Sequence, residues 1–318
     1  MLAIVWLPNC QDAPCATGDG ACDLSLTVLL YHDFSRPPDR IDGLGFWIEG
    51  DRLSLPDGSL VSNWPDLSSN GFDATQPTMA EQPTYNATLF GSRGGVTFNN
   101  AADPGTNLIL GSNYLFSNAE GMTIVGVARS DTEDSNVKYL LDFGKNGMGG
   151  YGMMYSSNSD GVNVNLVGYT PVDAGGASTS TAAQISTSAS SIFMMVVKWQ
   201  PASESGQTLY LNGSPVAQGS VSLTQITSDE ICRSPTRGGG SALPLPPSGT
   251  TCSGGNFSYG PVTIGGQSKR SAEAGRFFVG DIAMVAWFAN ALTDTERRGL
   301  ECYLSLKYNI AVPQLCIL

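Results

Sequence analysis

The feature that most restricts the fold of this chain is a series of short apolar runs, each bounded by Gly, Pro, Asn, Asp or Ser, that begins at Phe46. Short apolar runs between turn-forming residues are typical of β-strands in an all-β domain. The sequence therefore predicts antiparallel sheets joined by loops. The predicted strands cover residues 46–49, 95–98, 107–110, 122–129, 139–143, 152–155, 162–169, 192–199, 208–211, 215–218, 262–264 and 277–288.

Two patterns predict how strands are joined and buried. Asn212 and Gly213 lie between two predicted strands, and both residue types tolerate the positive φ angles of a type I′ hairpin turn. The run 192–197 is apolar throughout, as expected for a strand covered on both faces. By contrast, residues 162–166 alternate strictly between apolar and polar, which predicts one buried and one solvated face.

Charge excludes one large class of function. Lys and Arg number 16 against 28 Asp and Glu, a net charge of −12. Nucleic-acid binding depends on a positive footprint that displaces phosphate counterions, and no cluster of basic residues occurs here. No stretch is apolar for the ~20 residues that span a bilayer. We therefore expect neither a nucleic-acid partner nor a membrane span.

One helix is predicted near the end of the chain. Thr293 and Glu296 have the spacing of a capping box, in which each side chain binds the other residue's backbone amide. Apolar residues at helical spacing continue to Tyr308, and Asn309 is a suitable stop. The Ser-, Thr- and Ala-rich segment 174–191 is expected to form a long surface loop instead.

The ends of the chain differ from its middle. Residues 1–45 carry three cysteines and the only histidine, His32, and we interpret them as an arm or an added strand. We expect one domain over residues 46–310 and a tail over 311–318. The first seven residues lack the basic region of a signal peptide. Either a signal was removed before Met1 or none is needed, as in a virion protein.

Two stretches together resemble a known family. Residues 46–51 and 57–74 resemble the opening of a laminin-G-like domain of the concanavalin A-like lectin/glucanase superfamily. Residues 277–283, 291–298 and 303–308 resemble its closing glycine–aspartate strand, capped helix and "YL-x-x-KY" tail. The resemblance covers roughly residues 44–310. It implies an all-β jelly-roll sandwich of two antiparallel sheets with a short C-terminal α-helix.

The same resemblance raises the question of hydrolysis. Glucanases of the superfamily carry two catalytic glutamates on one strand, as E-x-D-x-E or E-x-D-x-x-E, because alternate strand residues share a face. Here Glu49-Gly50-Asp51 lacks the second glutamate. Glycoside hydrolysis needs two carboxylates, so we expect no enzyme. A glycosidase would require carboxylates paired across strands.

Two further sites are predicted from residue chemistry. Asp66, Asn70 and Asp73 lie in one loop and offer the oxygen ligands that calcium prefers. The alternative is that they stabilise the turn through bonds to the backbone. Cys232 and Cys252 flank a Gly- and Pro-rich loop that a disulfide would close. The remaining cysteines pair locally, reach Cys302 and Cys316, or stay free.

Glycan binding would use exposed aromatic residues near loop ends. The candidates are Tyr114, Tyr151, Tyr155, Tyr169 and Tyr259, for each of which core packing is the alternative. We assign Trp64, Trp199 and Trp287 to the core. The resulting hypothesis is a non-enzymatic module on a virion, cell or other extracellular surface that binds glycans or surface ligands in adhesion. The alternative is a structural or decorating subunit of a virion or filament, with neighbouring subunits, including copies of itself, docked on its apolar ends.

Overall fold

In a computed structural model the chain forms two antiparallel β-sheets and one α-helix. The structure describes residues 35–99, 105–110, 122–130, 138–142, 149–157, 164–171, 180–185, 192–199, 207–219, 262–266, 277–314 and 316. Among these, no helix is both long and apolar enough to cross a membrane.

The strands of the described part are numbered in chain order. They are β1 (Leu44–Glu49), β2 (Asn63–Trp64), β3 (Ala74–Thr75), β4 (Thr84–Phe90), β5 (Arg93–Phe98), β6 (Leu108–Leu110), β7 (Met122–Ser130), β8 (Lys138–Asp142), β9 (Gly149–Ser157), β10 (Val164–Pro171), β11 (Ser180–Ile185), β12 (Ile192–Trp199), β13 (Gln207–Leu211), β14 (Ser214–Gly219), β15 (Thr263–Ile264) and β16 (Gly280–Phe288). Helix α1 is Asp294–Tyr308, and single 3₁₀ turns cover Pro38–Arg40, Gly50–Arg52 and Met79–Glu81.

The strands divide into two sheets. The first has the order β14-β13-β12-β7-β16-β5-β4, with β1 also paired to β16, and we call it the helix-side sheet. The second has the order β11-β10-β9-β8-β15-β6-β3-β2, and we call it the opposite sheet. Every pairing between these strands is antiparallel, so the predicted fold class, a two-sheet sandwich, is confirmed.

The core between the sheets is built from alternate strand residues. On β1, Phe46 and Ile48 point into it, together with Ile124 and Ala128 of β7. Trp64 joins them from the opposite sheet and is fully buried. Because strand side chains alternate between the two faces, the intervening residues of the helix-side sheet point outward and need a second cover.

Helix α1 provides that cover. Leu300, Leu304 and Tyr308 pack in one buried cluster with Val125 and Val127, which lie on the outer face of β7. The predicted cap is present: Thr293 accepts a hydrogen bond from the Glu296 amide, and Glu296 accepts one from the Thr293 amide. Asn309 ends the helix in the left-handed conformation, as predicted.

Most strand predictions are confirmed within a few residues. At the hairpin turn, Asn212 has φ 47° and Gly213 has φ 80°, as a type I′ turn requires. One expectation was wrong: segment 174–191 is not a single loop, because it contains β11. The strand predicted from Phe277 begins three residues later, at Gly280, and the strands β2, β3 and β4 were not predicted. The core positions of Trp64 and Trp287 are confirmed, while the side chain of Trp199 lies outside the described ones.

Candidate functional site

Three of the five tyrosines predicted to bind a ligand lie in described strands. Tyr151 and Tyr155 lie on β9 and Tyr169 lies on the neighbouring strand β10, all in the opposite sheet. In the register of these strands Tyr155 is paired with Leu166, and Tyr169 with Gly152. Tyr114 and Tyr259 lie outside the described residues, as do His32, Cys232 and Cys252.

The loop predicted to bind calcium is ordered around Asp66. Its Oδ1 accepts hydrogen bonds from the backbone amides of Trp47 and Ser68, both at 2.9 Å. Its Oδ2 accepts from the Phe72 amide at 2.9 Å and from the Ser68 hydroxyl at 2.6 Å. Both carboxylate oxygens therefore stabilise the loop, and Oδ1 also joins it to β1.

The other two predicted ligands support the same loop. Asp73 accepts a hydrogen bond from the Asp66 amide at 2.9 Å, and Asn70 donates its side-chain amide to the Gly45 carbonyl at 2.8 Å. Within the described part of the chain, no group of three His, Cys, Asp or Glu side chains is arranged to hold a metal ion. The turn-stabilising role is thus visible, and calcium binding stays a prediction.

The glutamate and aspartate of the E-x-D sequence meet a lysine from α1. Lys307 Nζ lies 2.6 Å from Glu49 Oε1 and 3.0 Å from Asp51 Oδ2. The Tyr308 hydroxyl donates to Glu49 Oε1 at 3.0 Å, and Lys307 donates to the Tyr303 hydroxyl at 3.2 Å. We call these five residues the Glu49 cluster. The side chains of Glu49, Lys307 and Asp51 are 0%, 8% and 12% exposed.

Burial sets the proton affinities in this cluster. Removal from water raises the pKa of Glu49, and the negative charge of Asp51 adds to the increase, while Lys307 opposes it. Burial and the neighbouring carboxylates raise the pKa of the Tyr308 hydroxyl well above its ordinary value. The pKa of Lys307 is also raised, because hydrogen bonds to Glu49 and Asp51 outweigh its burial.

A second ion pair lies on the same helix. Arg297 donates from one guanidinium nitrogen to both oxygens of Glu301, each at 2.6 Å, and the two side chains are 4% and 0% exposed. The guanidinium carbon also lies 3.9 Å from the centre of the Tyr210 ring of β13. Gln314 donates to Glu301 Oε2 at 3.1 Å. The pair therefore joins helix, sheet and tail.

The tail after α1 packs on its own chain. Cys302 and Cys316 form a disulfide across a separation of 14 residues, and Ile310 is buried in the cluster between α1 and the helix-side sheet. The spacing of the cysteines left open where Cys316 would pair, and the structure shows an intrachain bond. The expectation that this apolar end docks on a neighbouring subunit gains no support from the described tail residues.

A further buried carboxylate strengthens the helix-side sheet. Asp281 on β16 accepts hydrogen bonds from Arg129 on β7 through two guanidinium nitrogens and from the Thr97 hydroxyl on β5 at 2.6 Å. Asp281 belongs to the glycine–aspartate phrase found in the sequence. Its partners lie on the two strands that flank β16, so the Asp281 carboxylate joins three strands.

Sequence reasoning missed the ionic partners of α1. Lys307 was noticed only as part of the closing phrase, and Glu301 was not singled out. The available signal was the helical spacing of Arg297 and Glu301, since residues four apart on a helix are neighbours. The pairing of Lys307 with Glu49 depends on how α1 packs on β1, which periodicity does not reveal.

Comparison with known proteins yields structural likeness only. No protein-family model and no curated protein matches the sequence. A Trypanosoma rangeli sialidase in complex with a difluoro-KDN compound is 14% identical with a TM-score of 0.45, and the match covers 85% of this chain and 33% of the sialidase. A Ruminococcus gnavus IT-sialidase CBM40 bound to α2,3-sialyllactose is 13% identical with a TM-score of 0.40, covering 61% of this chain and 96% of that one. A heptameric SAP-like pentraxin from Limulus polyphemus is 14% identical with a TM-score of 0.42, and the match covers 65% of this chain and 82% of the pentraxin.

The buried carboxylate of Glu301 gives a pH prediction. Burial raises its folded-state pKa above 4.5, although Arg297 opposes the shift. A raised carboxyl pKa stabilises the fold below the unfolded pKa, and that contribution is lost as the pH rises through the folded pKa. We therefore expect the stability of the wild type relative to Glu301→Gln to fall as the pH rises from 4.5 toward neutral. Urea unfolding of both proteins across this range measures it, and a constant difference would contradict it.

Proposed function

We propose that this chain is a non-enzymatic, concanavalin A-like module of an exterior surface that binds glycans on the outer surface of the opposite sheet. The observation that carries the proposal is the position of Tyr169 in the register of that sheet. Three steps support it: the opposite sheet presents an outer surface, Tyr169 occupies the alternate set of strand positions to that of the core residue Leu141, and the carboxylates that would suggest hydrolysis are occupied elsewhere.

The two sheets differ in what covers them. The outer face of the helix-side sheet is buried under α1 by Leu300 and Leu304. On the opposite sheet, Trp64 and Ala74 are buried while their neighbours Asn63 and Thr75 are exposed and half-buried. Alternation of this kind indicates one face in the core and one open to solvent. The outer face is therefore open to solvent at the β2–β3 end of the opposite sheet, whereas Thr263 of β15 and Tyr139 of β8, on the same face, are buried. The ligand surface that we propose is the part of this face formed by β9 and β10.

The register relates Tyr169 to that surface. Residues paired across antiparallel strands lie on the same side of a sheet. Met153 is paired with Leu141, whose side chain is buried between the sheets, whereas Tyr169 is paired with Gly152, one residue along β9. Along β9 and β10, Tyr169 therefore occupies the alternate set of strand positions to that of Leu141, whereas Tyr151 and Tyr155 occupy the same set as Leu141. In this proposal Tyr169 supplies the flat amphipathic surface that suits a sugar ring.

The non-enzymatic part of the proposal is supported by the carboxylates. Glu49 is fully buried in contact with Lys307 and Tyr308, Glu301 is paired with Arg297, and Asp281 is held by Arg129. In each of these the carboxylate already has a structural partner, whereas hydrolysis needs two carboxylates facing a substrate.

A glycan array tests the proposal. We expect the wild type to bind a defined set of glycans, and Tyr169→Ala to lose about tenfold or more in affinity, the size of an aromatic hot spot. Leu306→Ala is the matched control, because Leu306 is exposed on α1 at the other side of the sandwich. Arrays run with calcium and with a chelator test the predicted role of Asp66, Asn70 and Asp73 at the same time. Absence of glycan binding, or equal binding by folded Tyr169→Ala, would contradict the proposal.

A further inference from the structure

The Glu49 cluster brings a lysine amine and an aspartate carboxyl together beside a second carboxyl. Lys307 Nζ is 3.0 Å from Asp51 Oδ2 and 2.6 Å from Glu49 Oε1. The Asp51 Oδ1 and Glu49 Oε2 atoms are buried and have no hydrogen-bond partner. From this geometry we propose that Lys307 and Asp51 condense to an intramolecular isopeptide bond, with Glu49 as the proton carrier. This inference is independent of glycan binding.

The three groups are held in place by different elements. Glu49 ends β1, Asp51 lies in the 3₁₀ turn that follows it, and Lys307 lies in the last turn of α1. Gly50 allows the turn to lie close against β5, because a Cβ there would be only 2.6 Å from the Gly95 Cα. When the fold holds the reacting groups in place, the entropy cost of bringing them together has already been met by folding. The nucleophile and electrophile are therefore already neighbours in the folded chain.

The roles of the two carboxyls follow from their surroundings. Glu49 is fully enclosed and anchored by the Tyr308 hydroxyl, so it is suited to pass protons. Asp51 is slightly exposed and one of its oxygens lacks a hydrogen bond, so an oxygen can leave as water. The Arg93 guanidinium lies 3.4 Å from Asp51 Oδ2 and stabilises negative charge that develops there. Arg52, 3.7 Å from Glu49 Oε2, is the other cation nearby.

The reaction balances without any further reagent. One proton passes from the Lys307 ammonium to the Asp51 carboxylate, leaving an amine and a carboxylic acid. Nζ then forms a bond to Cγ, and the bond between Cγ and one oxygen breaks. Glu49 takes a second proton from Nζ and gives one to the departing oxygen, which leaves as water. The product is a neutral amide, and Glu49 ends as it began.

Burial favours the product. An amine attacks a carbonyl carbon only when it is deprotonated, and the pKa of Lys307 is raised by its hydrogen bonds to Glu49 and Asp51, so the transfer of a proton from Lys307 to a carboxylate must precede the attack. Burial raises the pKa of Glu49, so that this carboxyl can hold a proton to donate. Replacing a buried ion pair by an amide removes the cost of keeping two charges out of water. Limited exposure of the cluster also protects the amide from hydrolysis.

Intact mass spectrometry of the full chain, with cysteines reduced, tests the inference. We expect a mass lower than the sequence mass by one water molecule. Tryptic digestion should give a branched peptide that joins Asp51 to Lys307, with no cleavage after Lys307. The matched control is Lys307→Arg, which keeps the positive charge and should show the full sequence mass. Glu49→Gln should leave most molecules unlinked, and circular dichroism checks that both variants fold.

The outcomes are distinguishable. Loss of one water with the branched peptide, abolished in folded Lys307→Arg, supports the isopeptide bond. A wild-type chain with the full sequence mass and free peptides on both sides overturns it. A branched peptide that joins Glu49 instead of Asp51 overturns the assignment of roles. Persistence of the bond at full yield in Glu49→Gln overturns the proton-carrying role of Glu49.

Discussion

Replacing Glu301 with alanine is expected to lower the free energy of unfolding by about 3–5 kcal/mol, because it leaves a buried arginine without its partner. Arg297 donates to both oxygens of Glu301 at 2.6 Å, and neither side chain is appreciably exposed. The remaining contacts of Arg297 are the Tyr210 ring and the exposed carboxylate of Asp294 at 3.6 Å, and neither replaces a buried, hydrogen-bonded carboxylate. Gln314 would lose an acceptor in the same variant. Chemical unfolding monitored by tryptophan fluorescence measures the effect.

Two further variants separate the buried charge from the loss of a side chain. Arg298→Ala removes an exposed charge from the same helix and should change stability by no more than about 0.5 kcal/mol. Replacing Arg297 by Met and Glu301 by Leu removes both charges, and it should cost less than Glu301→Ala alone, since apolar pairs replace buried ion pairs at little cost. A Glu301→Ala variant as stable as Arg298→Ala would show that the pair is solvated.

Local signals predicted the helix well. Its start and end depend on residues close in sequence: Thr293 and Glu296 bind each other's backbone amides, and Asn309 tolerates a positive φ. The hairpin at Asn212 and Gly213 was predictable for the same reason, since the turn geometry is a property of the two residues themselves. Capping and turn signals depend on residues no more than three or four positions apart, so they can be recognised from the sequence alone.

Strands that lack an apolar run were not predictable in this way. β11 is rich in Ser, Thr and Ala, and it is a strand because its backbone pairs along β10 from Tyr169 to Val164. β4 likewise pairs with β5 but alternates poorly in burial. Edge and near-edge strands owe their conformation to the neighbouring backbone more than to their own side chains. The tertiary structure decides which strand β4 or β11 pairs with, and therefore whether the segment is a strand at all.

The candidate site was likewise predictable in its local features but not in its contacts between distant residues. The E-x-D sequence was visible, but its meaning depends on Lys307, which is distant in sequence and arrives from α1. Similarly, Asp66 was recognisable as a loop residue, while its bond to the Trp47 amide of β1 was not. Residues with reactive or charged side chains can be recognised in a sequence. Which of them come into contact depends on how the helix and loops pack on the sheets.

Removing the disulfide by Cys302→Ala with Cys316→Ala is expected to lower the free energy of unfolding by about 3 kcal/mol, the loop-closure estimate for a cross-link of this span. The bond holds the tail on α1, where Ile310 is buried and Gln314 donates to Glu301. Denaturant unfolding without reductant measures the loss.

Because the disulfide and the ion pair both involve the tail, their effects should not be additive. Residues that share a contact network show coupling energies. Once the tail is released, Gln314 no longer bonds reliably to Glu301, so Glu301→Ala should cost less in the disulfide-free chain than in the wild type. Equal costs in the two backgrounds would show that the tail and the ion pair act separately. A disulfide-free chain as stable as the wild type would instead show that packing alone holds the tail, with Ile310 as its anchor.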